Sequence, residues 1–390
     1  MNVLMISDVY FPRINGVSTS IQTFREGLSE EGVDVTLIAP TYAKTGGNDG
    51  ADDADIVRLP ARTIPFDPED RLMRSDALRD LDQTLNGKHF DLIHIQTPFS
   101  AHYAGLKLAR KRGIPCIATY HTHFEEYFHH YLPIMPRPLA RSLTRRIARS
   151  QCNTLDALIV PSSAMHTALR DYGVTKPLHI LPTGIPLAQF GASNDANART
   201  DFRRKHGLPV DRPLALFVGR VAHEKNLRFL LDAMRHALSR NPDIALVIAG
   251  EGPALNSLKK ATTQLGIDQD VFFLGYMDRK TELPACYAAA DLFAFPSVTE
   301  TQGLVLLEAM AAGLPVLGIP AMGAADILAP QRGAVCAPHD VQDFGTLMAK
   351  LLTDPAQLAT LSADGREFAH SWGAPERARQ LAELYRQLAA

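Results

Sequence analysis

Glu300 and Glu308 are the residues of this 390-residue chain whose type and spacing say most about chemistry. The apolar run 292–295 reads as a strand that Pro296 ends. A polar turn carrying Glu300 follows, then a stretch with no helix breaker until Gly313. Glu300 is therefore expected in a loop and Glu308 on the helix behind it. A loop that enters a helix beyond a strand's carboxyl end is where α/β folds bind phosphorylated ligands. Thr301, Gln302, Gly303 and Leu304 occupy that entry, where the unpaired amides of a first helical turn favour anions. Glu308 can then accept hydrogen bonds from ribose hydroxyls, and Glu300 from those of a sugar. The alternative is a solvated loop carboxylate and an acid on an exposed helix face. Glu308 has Leu304, Val305, Leu306, Leu307, Ala309 and Met310 around it, which leaves little room for a solvated face. A buried glutamate needs partners, or its pKa rises until it is neutral.

A second group of residues suits phosphate. Gly219 follows the apolar run 214–218 and lets backbone approach a ligand closely. Arg220 and Lys225 place two cations near a helix N-terminus, where they oppose the helix dipole. A pyrophosphate resolves that conflict, with arginine as a fork and lysine as a point charge. An ordinary surface pair with Glu224 is the plainer reading. Gly250 and Gly252 resemble two-thirds of a dinucleotide fingerprint, but the third glycine position is Leu255, so this turn is expected to be structural or to line the rim of a site. Tyr276 lies in a similar turn after the run 271–274.

In the first half, Asn15 and Gly16 form a turn dipeptide ahead of a helix that Thr19 or Ser20 can cap. The stretch 120–131 is dense in histidine and aromatics. His121, His123 and His129 lack the spacing of a helical metal pair. They are either a polar fringe on an aromatic surface, or His121 stands just past a strand end. There it would donate a hydrogen bond to a sugar or to charge developing at the reacting centre. Tyr120, Glu125 and Tyr127 are its neighbours. Asp53 with Asp55, and Asp268 with Asp270, spell a D-x-D pattern but fall in polar connections; no divalent metal is expected.

These residues must be positioned by regular elements. Strands are expected at 3–6, 34–39, 92–96, 116–120 and 157–161, with helices at 19–31 and 101–112 between them. Strands alternating with helices imply a parallel, doubly wound α/β sheet. The polar stretch 192–198 and the basic segment 199–206 read as a linker. A second set follows, with strands at 214–218, 245–249, 271–274, 292–295 and 315–318 and helices at 226–239 and 255–265. The length suits two domains. A formal net charge of −2 argues against nucleic acid as a partner. Cys116, Cys152, Cys286 and Cys336 are scattered, which fits a reducing compartment. The opening residues read as a strand and not as a signal peptide, and no apolar run approaches the roughly 20 residues of a membrane span. Arg137, Arg141, Arg145 and Arg149 recur every fourth residue, interleaved with Leu139, Leu143 and Ile147. This amphipathic helix suits either an anionic membrane surface or a solvated face paired with acids elsewhere.

Taken together, these motifs resemble the family 4 retaining glycosyltransferases, whose E-x7-E signature Glu300 and Glu308 match. Residues 14–20, the Tyr120 to Tyr127 stretch and residues 300–304 are most similar to the bacterial diacylglycerol glycosyltransferase branch. The commoner family form has Phe where this chain has Gln302. The resemblance implies the glycosyltransferase B architecture, two Rossmann-like domains facing a cleft: residues 1–190 for the acceptor and 191–370 for the nucleotide-sugar, with 371–390 a helix returning to the first domain. It implies that Arg220 and Lys225 neutralise the leaving diphosphate and that Gly16 lets donor phosphate lie against backbone. The turn at Gly250 would belong to the donor domain, and the backbone near Tyr276 would meet the nucleobase. His121 would act on the sugar. The donor is expected to be a UDP- or GDP-sugar, with no further cofactor. The acceptor is expected to be a membrane lipid such as diacylglycerol, or alternatively a soluble or envelope glycan. The enzyme would be cytoplasmic and peripheral on the inner membrane face. A nucleotide-dependent oxidoreductase using Gly250 and Gly252 is a remote alternative that explains neither glutamate.

Overall fold

The structure is a computed structural model that describes residues 1–42, 54–64, 67–121, 137–191 and 196–390. It divides into two compact units, Met1–Gly184 with Ala374–Ala390, and Ile185–Gly373.

The first unit holds β1 (Asn2–Ile6), β2 (Asp34–Pro40), β3 (Ile56–Leu59), the antiparallel pair β4 (Ala61–Ile64) and β5 (Asp67–Met73), β6 (Leu92–Ile95), β7 (Cys116–Thr119), β8 (Ala157–Val160) and β9 (Leu178–Ile180). Seven of these form one sheet in the order β3-β2-β1-β6-β7-β8-β9, every pairing parallel. Parallel strands covered by helices on both faces read as unbroken apolar runs, as Val3 to Ile6 do. The helix Gly16–Glu30 is capped by Asn15, whose side chain accepts from the Ser18 amide at 2.8 Å. The expected caps Thr19 and Ser20 lie inside the helix and are buried. Asparagine at the earlier position satisfies the orphan amides first.

The helix Ala374–Ala389 completes this unit. Ala378 packs against Gly27, where a Cβ would lie 2.5 Å from the alanine methyl. Leu381, Ala382 and Tyr385 join the core with Val3, Met5 and Ile21. The Tyr385 hydroxyl meets His94 Nδ1 at 2.6 Å, and His94 Nε2 meets Thr119 Oγ1 at 2.7 Å.

The second unit holds β10 (Leu214–Val218), β11 (Ala245–Ala249), β12 (Val271–Gly275), β13 (Leu292–Phe295), β14 (Val316–Gly318) and β15 (Ala334–Cys336), in the order β12-β11-β10-β13-β14-β15. Alternation along β10 sends Leu214, Leu216 and Val218 into one core layer and Ala215 and Phe217 into the other. The domain boundary differs from the sequence expectation near 190. Ile185 donates its amide to the Trp372 carbonyl at 2.9 Å and bridges Gly373, so backbone pairing places the transitions at 184/185 and 373/374. The basic segment expected in a linker forms the helix Ala196–Lys205. Its Arg203 is 1% exposed and donates to the carbonyls of Ala289, Pro209, Val210 and Arg212 and to Asp291, which fixes the segment to the second unit.

Burial holds the His94 imidazole down to about 3 and that of His102 to about 4. Both titrate near 6.5 in an unfolded chain. Between pH 6.5 and 4 the unfolded state therefore binds more protons, so stability is full above 6.5 and falls as the pH drops. Urea unfolding is expected to show about 2–4 kcal/mol less stability at pH 5 than at pH 7. A flat profile over that range would show that neither histidine is held neutral.

Candidate active site

The strand order of the second sheet reverses between β10 and β13, and such a reversal opens the crevice in which α/β sheets take ligands. The loops leaving those two strands, residues 219–226 and 296–303, carry Arg220, Lys225 and Glu300, and three side-chain contacts join them. Lys225 Nζ donates to Glu300 Oε1 at 2.7 Å, Thr299 Oγ1 to the Glu224 carbonyl at 3.2 Å, and Asn226 Nδ2 to the Pro296 carbonyl at 3.1 Å. Lys225 and Glu300 are 18% and 16% exposed, so their attraction is less screened than that of a surface pair. Arg220 Nη1 lies 3.9 Å from Glu224 Oε1, a loose contact on the half-exposed side of the same loop.

The glutamate loop is supported from behind. The Gly323 amide donates to the Glu300 carbonyl at 2.8 Å, and a Cβ on Gly323 would sit 1.9 Å from the Thr301 carbonyl oxygen. Gln302 is buried, and Gly303, at φ +94°, turns the chain into the helix Leu304–Ala311. That positive φ suits glycine.

Glu308 lies on that helix with no solvent exposure. Its Oε1 accepts from Arg279 Nη2, and its Oε2 from the Tyr287 hydroxyl at 3.0 Å. Tyr287 is buried beside the carboxylate, and its phenol is pushed well above its ordinary pKa by burial and by the Glu308 charge. The hydroxyl therefore stays protonated and donates.

Gly250 and Gly252 serve the packing of two strand-to-helix turns against each other. A Cβ on Gly250 would lie 1.9 Å from the Gly219 carbonyl oxygen, and one on Gly252 2.4 Å from that of Val221. The Gly250 amide donates to the Gly275 carbonyl at 2.7 Å. The space a side chain would take is filled by the neighbouring backbone, which is the structural role expected for this turn. Tyr276, just beyond β12, is 46% exposed.

In the first unit the order reverses between β1 and β6. Asp8, just past β1, is buried and accepts from Thr97 Oγ1 at 2.8 Å, from the Ala101 amide at 3.0 Å and from Ser100 Oγ. It thereby ties the β1 exit to the helix Ser100–Arg112. Gly16 opens its helix with nothing within 4 Å of a Cβ built there. Tyr120 is buried at the end of β7, and His121 Nε2 lies 2.8 Å from Gln96 Oε1 at the end of β6. Burial lowers the His121 pKa to about 4, so at neutral pH the ring is uncharged and carries a single N–H. Asp53, His123, Glu125, Tyr127 and His129 lie outside the described residues. Asp55 precedes β3. Asp268 and Asp270 sit ahead of β12, where Asp270 accepts from Arg212 at 2.5 Å. Among the described residues no group of three or more His, Cys, Asp or Glu could hold a metal ion.

The basic strip is the helix Arg137–Cys152. It buries Thr144, Ala148 and Cys152, while Leu139, Leu143 and Ile147 are 58%, 38% and 41% exposed. Arg141, Arg145 and Arg149 are exposed too, with the Arg145 guanidinium 5.4 Å from the Tyr172 ring centroid. Tyr103, 62% exposed, accepts from Gln151 Nε2 at 3.1 Å beside this helix. No described helix is long and apolar enough to cross a membrane.

The comparisons with known proteins agree with this geometry. "Glycosyltransferase Family 4" matches residues 14–189, and "Glycosyl transferases group 1" matches residues 198–368. Alpha-monoglucosyldiacylglycerol synthase of Streptococcus pneumoniae is 33% identical over 320 residues, 81% of this chain and 70% of that protein. The chain belongs to the family 4 glycosyltransferases. A GDP-mannose-dependent alpha-(1-6)-phosphatidylinositol monomannoside mannosyltransferase of Mycolicibacterium smegmatis is 30% identical over 397 residues, 98% of this chain and 97% of that protein. Sucrose-phosphate synthase from Thermosynechococcus elongatus shares the fold, with a TM-score of 0.82 over 99% of this chain and 98% of that one at 22% identity. This family 4 glycosyltransferase thus has the glycosyltransferase B fold that its sequence implied.

Several residues that shape its site escaped the sequence reading. Arg279 and Tyr287 stand 29 and 21 positions before Glu308 and look like a loop cation and a helix aromatic. Asn226 reads only as the start of a helix and Gln96 as the end of a strand, and Asp8 and Gly323 carry no signal beyond lying past one.

The two glycines separate packing from open space. Gly250→Ala is expected to lose about 2–4 kcal/mol or more, from the positive φ of 141° and the backbone clash. Gly16→Ala is expected to unfold within a degree or two of the wild type, roughly as for a neutral surface change. Equal thermal midpoints for Gly250→Ala and the wild type would show that the two turns do not interlock.

Proposed function

We propose that this glycosyltransferase is a retaining hexosyltransferase that moves a sugar from a UDP- or GDP-sugar to a hydroxyl of a membrane lipid, with diacylglycerol the first choice. One observation supports the donor side: the loops bearing Arg220, Lys225 and Glu300 leave the two strands of a topological switch point, with Lys225 Nζ on Glu300 Oε1. Without donor, Lys225 and Glu300 hold each other. A diphosphate beside Lys225 competes for that ammonium and leaves Glu300 to accept from the sugar hydroxyls. Arg220 and Lys225 then stabilise the negative charge that grows on the diphosphate as its bond to the anomeric carbon breaks. They supply the positive charge for which a divalent metal would otherwise serve. The acceptor oxygen bonds to that carbon on the face the diphosphate leaves, which retains configuration. The acceptor's proton passes to the departing phosphate oxygen. No cofactor beyond the donor enters this scheme.

The lipid acceptor is supported by the relatives, since the pneumococcal protein is named for a glucosyldiacylglycerol and the mycobacterial one for a phosphatidylinositol mannoside. The mycobacterial likeness spans nearly the whole chain and favours GDP-mannose as a second donor reading. The helix Arg137–Cys152 supports a peripheral seat on an anionic inner leaflet: its apolar line is solvent-exposed, and arginines flank it.

Incubation with UDP-glucose, UDP-galactose and GDP-mannose in the presence of lipid extract is expected to give a glycolipid from one of the three. Lys225→Ala is expected to lower kcat/KM about tenfold or more with little change in Tm. Product formed only on a soluble glycan would overturn the lipid acceptor, and full activity in Lys225→Ala would remove the diphosphate assignment.

Vesicle flotation tests the seat. The wild type is expected to float with anionic vesicles at low salt and to be released as salt rises, each arginine contributing on the order of 1 kcal/mol near the surface. Replacing Arg141, Arg145 and Arg149 by Gln should abolish flotation and spare nucleotide binding. A wild type that stays with the soluble fraction at low salt would argue for a soluble acceptor.

A further inference from the structure

Arg279 has no part in the scheme above, yet it holds one of the two glutamates. It lies in the segment between β12 and the helix Leu283–Ala288, and that segment is fixed on several sides. Asp278 Oδ1 accepts from the amides of Lys280 and Thr281, at 3.1 and 2.8 Å, and from Thr281 Oγ1 at 2.6 Å. The Asp278 carbonyl accepts from the amides of Glu282 and Leu283 at 3.0 and 2.9 Å. Gln189 Nε2 donates to the Arg279 carbonyl at 2.5 Å, and the guanidinium lies 5.6 Å from the Phe190 ring centroid. Phe190 in turn meets Tyr287 edge-on at 5.9 Å between centroids. Arginine and tyrosine are thus braced through a shared phenylalanine.

Stability alone is a weak reason for this arrangement. A buried ion pair is often matched or bettered by apolar residues of the same volume. What the pair does secure is the orientation of the carboxylate, because the two donors, one on each oxygen, fix its plane. A carboxylate has about four lone-pair sites, and Arg279 and Tyr287 use one on each oxygen. The remaining site on each oxygen suits two neighbouring hydroxyls. Glu308 and Tyr287 have no solvent exposure, whereas Arg279 is 23% exposed, so a ligand reaches the carboxylate on the arginine's side.

We propose that Arg279 is the positioning residue through which Glu308 recognises the vicinal hydroxyls of the donor's ribose, and so the residue that sets ribonucleotide over deoxyribonucleotide preference. This rests on the nucleotide-sugar reading of the site. Arg279 acts on the donor only through the carboxylate it orients.

Calorimetric titration with UDP, GDP and their 2′-deoxy and 3′-deoxy analogues tests it. The wild type is expected to bind one ribonucleotide roughly tenfold or more tightly than its deoxy forms, as for hydrogen bonds to a charged group. Arg279→Met and Arg279→Gln, with folding checked by circular dichroism, are expected to bring that ratio near one. Arg279→Lys, which keeps charge but not the fork, should fall between. Glu308→Gln should resemble the methionine variant. A folded Met or Gln variant that keeps the wild-type ratio overturns the role of Arg279 and leaves the nucleotide reading intact. A wild type that binds neither UDP nor GDP overturns both.

Discussion

The site of the second unit depends on backbone meeting backbone beyond the carboxyl ends of β10, β11, β13 and β14. Gly250 lies against Gly219, Gly252 against Val221, and Gly323 against Thr301, each at a separation that leaves no room for a Cβ. Side chains are absent from these contacts because main-chain atoms fill their places. The loops of Arg220, Lys225 and Glu300 consequently inherit their geometry from the sheet. A functional group carried on such a turn loses little freedom when a ligand arrives, which is how rigid elements make a precise site from loop residues.

Charge burial follows two patterns in the same unit. Arg203 is satisfied by four backbone carbonyls and Asp291, and nothing in its surroundings suggests a ligand. It fastens the helix Ala196–Lys205 to the start of β13. Glu308 is held by one cation and one phenol, with acceptor capacity left on both oxygens. The first arrangement is closed and the second is open. That contrast separates a buried charge whose hydrogen bonding is complete from one with acceptor capacity to spare.

Where periodicity reflects burial on both faces, the sequence was easily read. β10, β11 and β13 begin and end where their apolar runs do, because each residue enters one of two core layers. The strands without a signal are short or lie at a sheet edge. β9 and β15 close their sheets with three residues each, and Ile180 of β9 is half exposed. The basic segment read as linker is part of a helix for a related reason, while residues 192–195 of the polar stretch lie outside the described residues. Polar composition indicates solvent, but Arg203 is polar and buried, and the true boundary rests on two backbone contacts of Ile185 that no side-chain pattern encodes. Of the site, Glu300, Glu308, Arg220 and Lys225 were visible because they cluster in turns beside strands. Arg279 was not, because its partner is 29 positions away and the pairing exists only once the sheet has formed.

The helix Ala374–Ala389 also orders events during synthesis. Leu381, Ala382 and Tyr385 supply part of the core of the first unit, and Tyr385 meets the hydroxyl-binding nitrogen of His94. The residues Ile185–Gly373 form a compact unit of their own, to which the last helix does not belong. On the ribosome the amino-terminal half therefore waits with an uncovered face while the half made after it can already close. Domains are commonly completed in the order they are made, and this chain reverses that order. The exposed face of the waiting unit is where chaperones would be expected to engage it.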